Sequence, residues 1–219
     1  MSETFEIARK NMVVNQLRPN KINEENILKI FEKTPKENYL DVSLGKNCYL
    51  DNNLDITDKR GYLKNLHLAQ IIKYSKILPN DKVLHIGGLT GYFSALIGSL
   101  CQELHVVEEN RELFKLLERN ISNTDTANIS VFNHNLLDGL VDKAPFNLII
   151  IDGPIFKITD NLKKQLATNG GRLIYIKKIY DNLGKAYKII RNENLYSSEY
   201  LFDVMSAYQI QDQQEDFKF

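Results

Sequence analysis

The chain has 219 residues and a mass of 25.3 kDa, a length that suits one domain or a domain with an appendage. Charged residues make up 26% and aromatic residues 10%, enough apolar bulk for a sizeable core, which excludes wholesale disorder. Lys and Arg total 28 and so do Asp and Glu, so the basic excess of a general nucleic-acid binder is absent.

The pure apolar runs are short, as in Leu148-Ile149-Ile150-Ile151, far below the roughly 18 residues of a membrane span. Met1–Glu6 is acidic and carries no apolar stretch, so no secretory leader is expected. Cys48 and Cys101 lie far apart in unlike contexts, which points to a reduced, cytoplasmic chain. His85, His105 and His134 fall near expected strand ends without the Cys/His spacing of a zinc site, so no metal is expected.

In chain order, apolar residues at Phe5, Ile7, Ala8, Met12, Val13 and Leu17 predict a helix over 3–17 that stops before Pro19. Asn23 is the expected N-cap of a second helix, carrying Ile27, Leu28, Ile30 and Phe31 and halted before Pro35. Residues 38–60 show no period and read as a long loop or short strands. Helical spacing returns over 62–78 and ends at Pro79. Beyond it, strands are expected over 82–86, 104–107, 129–132, 146–152 and 172–176, with helices over 92–101, 111–120 and 160–167. Gly170-Gly171 is read as the turn between the last of these helices and the strand at 172. Such alternation builds a parallel sheet covered by helices. Residues 187–191 and 200–206 are expected to close it as an antiparallel pair. The reading is a helical extension over 1–79 followed by a doubly wound α/β core over 80–219.

The segment Ile86-Gly87-Gly88-Leu89-Thr90-Gly91-Tyr92 follows a strand and opens a helix, so its backbone can approach a nucleotide-like ligand. Glu108 ends the next strand, 21 residues past Gly87, where a carboxylate accepts hydrogen bonds from ribose hydroxyls. The glycine spacing departs from the dinucleotide fingerprint at Leu89. From the residues alone, a nicotinamide dinucleotide and S-adenosylmethionine both remain open. Asp152, at the carboxyl end of the central strand, lies where open α/β sheets bind ligands.

Further blocks stand ahead of and beyond this loop. Met12-Val13 with Gln16-Leu17-Arg18-Pro19, then Thr34-Pro35-Lys36-Glu37-Asn38-Tyr39-Leu40, then Tyr49-Leu50-Asp51 with Leu54-Asp55-Ile56 follow one another. Ala144-Pro145-Phe146-Asn147 and Gly170-Gly171-Arg172-Leu173 come later. Over roughly 9–177 the series resembles the protein-L-isoaspartate O-methyltransferase family, whose members carry similar "MV..QLRP", "PRE.FVP" and "Y.D..LPI" blocks. The resemblance implies a Rossmann-like class I S-adenosylmethionine-dependent methyltransferase that esterifies the free carboxylate of isoaspartyl residues in damaged proteins. The charge balance and the short apolar runs lead to the expectation of no nucleic-acid or membrane partner.

The cofactor would lie against His85, Gly87, Gly88, Leu89 and Gly91, with its ribose on Glu108 and its adenine near Asn135 and Leu136. Where the family has a hydroxyl-bearing "TISQP" segment, this chain aligned on Ala69 places Leu63 at the Ser and Asn65 at the Pro. His85 stands at the acidic position before the first glycine, and Leu89 replaces the middle glycine, so a reshaped loop is expected. Lys64 and His67, three apart beside that segment, and Asp152 are the residues expected to serve the acceptor carboxylate. These departures leave a non-catalytic or repurposed member as an alternative to the working enzyme, and the glycine loop with its acid leaves a nicotinamide-dependent oxidoreductase as another.

Overall fold

A computed structural model describes residues 2–124 and 126–210. Helix α1 (Ser2–Met12) runs into a π-helical turn over Val13–Leu17 and a short 3-10 turn over Arg18–Asn20 at Pro19. Helix α2 (Glu25–Lys33) starts one residue later than expected. Glu24, not Asn23, occupies the N-cap position, without a side-chain cap; its carboxylate accepts the Asn23 N–H and pairs with Lys73 at 3.1 Å. The aperiodic stretch holds a short helix α3 (Val42–Gly45) and strand β1 (Leu54–Asp55), which forms a small antiparallel ribbon with β2 (Gly61–Tyr62) just beyond it. That ribbon takes Tyr62 out of the helix expected over 62–78. Helix α4 therefore spans Asn65–Ser75 and ends on Lys76 in the left-handed region.

From Lys82 the alternation forms as expected: β3 (Lys82–Ile86), α5 (Tyr92–Gly98), β4 (Glu103–Val107), α6 (Arg111–Ser122), β5 (Ile129–Phe132), β6 (Leu148–Ile155) and α7 (Asp160–Lys164). It closes with β7 (Asn169–Tyr180), β8 (Leu183–Asn192) and β9 (Leu195–Met205). Helix α6 shows why these segments are helical. The Asn110 side chain accepts the N–H groups of Glu112 and Leu113 at 3.0 Å each, and Leu113, Leu117 and Ile121 bury one face. The sheet order is β5-β4-β3-β6-β7-β8-β9, and β8 alone runs against its neighbours. Tyr187 faces Tyr200 in the expected terminal pairing. Gly170-Gly171 lies inside β7 at a register shift rather than in a turn.

Successive strand residues go to opposite faces, so the sheet carries two cores. Val83, Val106, Leu148 and Ile150 join Met12, Leu17, Phe31 and Phe93 on one face. Leu84, Ile86, Ile149 and Ile151 meet Leu162 and Leu166 on the other. The order reverses at β3, which has β4 on one side and β6 on the other. A crevice therefore opens at the carboxyl ends of β3, β4 and β6, where such sheets take ligands. No described helix is long and apolar enough to cross a membrane.

Candidate functional site

The loop after β3 is held by backbone geometry. Gly87 and Gly91 lie in the left-handed region at φ 94° and 103°, and the N–H groups of Gly87 and Gly88 both donate to the Val107 carbonyl. A side chain at Gly88 would begin 2.6 Å from Val106 Cγ1, so anything larger than glycine there must push its neighbours aside. Leu89 corrects the expectation of a reshaped loop. It enters the left-handed region itself, at φ 50°, at a cost of about 1–2 kcal/mol. Burial of its side chain, about 2 kcal/mol, offsets this, and its N–H donates to Glu108 Oε2 at 3.0 Å.

The next helix start is capped from a distant strand. Tyr62 Oη accepts the N–H groups of Thr90 at 3.2 Å and Tyr92 at 3.1 Å and shares a hydrogen bond with Thr90 Oγ1 at 2.9 Å. Behind it, Lys36 Nζ donates to Asn65 Oδ1 at 3.1 Å and lies 5.3 and 5.2 Å from the ring centres of Tyr62 and Tyr92. Burial of this ammonium lowers its pKa to about 8.

Glu108 stands at the carboxyl end of β4, fully buried, as the spacing argument requires. Its carboxylate is already engaged. Arg60 Nη1 and Nη2 donate to its two oxygens at 2.7 and 2.8 Å, and the N–H groups of Leu89 and Asn110 add to the set. Burial works against the Arg60 charge, but the Glu108 hydrogen bonds and charge outweigh it and raise its pKa. Sequence reasoning missed Arg60. It sits at the end of the aperiodic stretch, in a turn where its N–H donates to Thr57 Oγ1.

His85 is buried with Nδ1 on Ser94 Oγ at 2.9 Å, while Nε2 points toward Asp152 Oδ2 at 3.5 Å without the alignment of a hydrogen bond. Asp152 closes the same wall, since a side chain at Gly87 would begin 3.2 Å from its Oδ1. Asn135 is exposed, and its side chain accepts the N–H groups of Leu137 and Asp138 in a local turn. Leu136 is buried and its N–H donates to Glu109. Lys64 pairs with Asp51 at 3.5 Å, and His67 bonds Gln70 and stacks on Phe202 of β9. Burial lowers the His67 pKa, keeping the ring neutral. Lys64 and His67 thus share one neighbourhood, but these partners are not the glycine-loop residues. Leu63, at the family's Ser position, is 1% exposed and part of the core.

The donors suit an adenosyl group: backbone N–H groups, a buried acid and a second acid across the crevice. Part of the crevice is taken by the chain itself: the cavity left between Arg60, Gly61, Leu89, Asp152, Gly153 and Ile210 measures about 10 Å³.

A family model described as protein-L-isoaspartate(D-aspartate) O-methyltransferase matches residues 8–204. A protein-L-isoaspartate O-methyltransferase of Koribacter versatilis is 31% identical over 170 residues, covering 78% of this chain and 76% of that protein. Among solved structures, a protein-L-isoaspartate O-methyltransferase superimposes with a TM-score of 0.77 at 19% identity, over 91% of this chain and 65% of that one. A putative one from Plasmodium falciparum, in complex with S-adenosyl-L-homocysteine, gives 0.75 at 18% identity, over 91% and 97%. At these identities the structural likeness speaks for the fold, a Rossmann-like methyltransferase sheet.

Proposed function

The chain belongs to the protein-L-isoaspartate(D-aspartate) O-methyltransferase family, and from that premise we propose that it methylates the free carboxylate of isoaspartyl residues in damaged proteins. Family membership decides the cofactor class in favour of S-adenosylmethionine over a nicotinamide. When bound, that cofactor supplies a methyl group on a cationic sulfur. The observation that carries the reading is Glu108, buried at the end of β4 and tied to the glycine loop through Leu89 at the point where strand order reverses.

The chain's own part is placement. An acceptor carboxylate, with a reference pKa near 4, is ionised at neutral pH and needs no general base. What remains is to hold one of its oxygens in line with the methyl group, a matter of orientation. We assign the ribose hydroxyls to Glu108, the adenine edge to Asn135 and Leu136, and the loop contacts to His85 and Gly87–Gly91. Lys64, His67 and Asp152 are assigned to the acceptor side. Lys64 would supply the positive charge that an acidic substrate seeks. The two thiols, Cys48 and Cys101, are free and buried, which supports a reducing compartment and hence the cytoplasm.

A second reading, a member that holds cofactor or protein without methyl transfer, is favoured by the burial of Leu63 and the engagement of Glu108 by Arg60. Labelled S-adenosylmethionine offered with an isoaspartyl peptide and with its aspartyl isomer separates the two. A base-labile ester on the isoaspartyl peptide alone is the expected result. Cofactor binding with ester on neither peptide selects the second reading.

A further inference from the structure

Two chain segments fill the crevice at the carboxyl ends of β3, β4 and β6. The first is the turn Thr57–Arg60, whose guanidinium forks onto both oxygens of Glu108. The second is a strap over Ser206–Ile210 that follows β9. Ile210 sits directly on Gly153, where a side chain would begin 2.6 Å from its Cγ1, and its Cδ1 lies 3.5 Å from where a side chain at Gly87 would begin. Its N–H donates to the Pro154 carbonyl at 2.8 Å.

The strap and the turn are fastened to each other. The Gln209 N–H donates to the Lys59 carbonyl at 3.0 Å, and Tyr208 Oη donates to Asp55 at 2.7 Å. Lys178 anchors the strap to β7 through the Ala207 and Tyr208 carbonyls at 2.8 and 3.1 Å. Withdrawal of Arg60 and movement of the strap are therefore mechanically linked.

A carboxylate accepts a limited set of hydrogen bonds, and both Glu108 oxygens already face one guanidinium in the paired geometry that Arg forms best with carboxylates. Ribose hydroxyls need the same oxygens. We propose that Arg60 competes with the cofactor ribose for Glu108, so that the chain holds its cofactor seat closed and Arg60 sets cofactor affinity. The inference rests on the reading of this crevice as the S-adenosylmethionine seat. A fork to a buried acid couples strongly, so the competition is worth at least a factor of ten in affinity. A buried acid left without its partner also weakens the fold. Loss of Arg60 should therefore make stability depend on the ligand that replaces it.

The test compares the full chain with Arg60→Gln and Arg60→Lys, each checked for folding by circular dichroism. S-adenosylhomocysteine binding is measured by calorimetry and by its effect on Tm. Arg60→Gln should bind at least tenfold more tightly than the natural chain, melt lower without ligand, and gain more in Tm when ligand is added. Lysine keeps the charge but cannot form the fork, so Arg60→Lys should fall between the two. It decides the matter if Arg60→Gln does not fold. Equal affinity in the natural chain and the variants overturns the competition while leaving the cofactor reading standing. Weaker binding by folded variants also overturns it, because Arg60 would then be a cofactor contact. No binding by any folded form overturns the inference and the cofactor reading together.

Discussion

Lys36 offers a sharp check on the electrostatics behind the glycine loop. Its residue is 1% exposed, its ammonium donates to Asn65, and burial lowers its pKa from 10.5 to about 8. At roughly 1.4 kcal/mol per unit, holding the charge inside costs about 3 kcal/mol at neutral pH. Lys36→Met keeps the length and removes the charge. Loss of the Asn65 hydrogen bond takes back about 1 kcal/mol, so the variant should be more stable by about 2 kcal/mol at pH 7.

The sign of the pH dependence follows from proton counting. Below pH 8 both folded and unfolded wild type carry the proton, and the full cost is present. Between about 8 and 10.5 the unfolded chain holds a proton that the folded chain has released, so wild-type stability gains with rising pH. The advantage of Lys36→Met should therefore fall by about 3 kcal/mol across that window and change sign toward its upper end. Urea unfolding of both proteins at pH 7, 8, 9 and 10 measures it. Taking the difference removes titrations common to both, such as the Cys101 thiol, which burial pushes up to about 12. A difference that does not change with pH, or a variant less stable than wild type at pH 7, would refute the reasoning.

Three further changes probe the loop and its support. Tyr62→Phe removes the oxygen that caps α5 and leaves the Thr90 and Tyr92 N–H groups buried without it. It should destabilise by about 2–4 kcal/mol in urea titration, and a loss under 0.5 kcal/mol would dismiss the cap. Leu89→Gly relieves about 1–2 kcal/mol of left-handed strain but forfeits side-chain burial and adds unfolded-state freedom. The net should be a loss of about 2 kcal/mol, and a gain in Tm would show that strain outweighs packing there. Gly88→Ala places a carbon 2.6 Å from Val106 and 2.7 Å from Leu117. It should cost about 1–3 kcal/mol, and an unchanged Tm would mean that the loop yields freely.

How far the sequence could be read depended on how local each cause was. The strands at 82–86 and 129–132 and the apolar stripe of α6 are short-range patterns, and they formed where expected. The start of α4 was misplaced because Tyr62 pairs with Leu54 in a ribbon that no helical period announces. Glu108 was legible because the distance from a glycine loop to the end of the next parallel strand is set by one helix crossing. Arg60 was not, because its contact with Glu108 spans 48 residues. The strap is further still, since Tyr208 meets Asp55 across 153 residues.

A physical rule nonetheless narrows what the sequence left open. An acid buried at a strand-order reversal must be matched, because an unpaired buried carboxylate is strongly destabilising. The match can come from a ligand's hydroxyls or from a cation of the chain itself. Residues 57–61 hold two cations, Lys59 and Arg60, immediately ahead of the segment aligned with the substrate site. Of the two, only Arg presents the planar fork that satisfies both oxygens at once. Keeping the acid while placing an Arg there therefore pairs Glu108 within the chain itself, and a ribose must win Glu108 from Arg60 before it can bind.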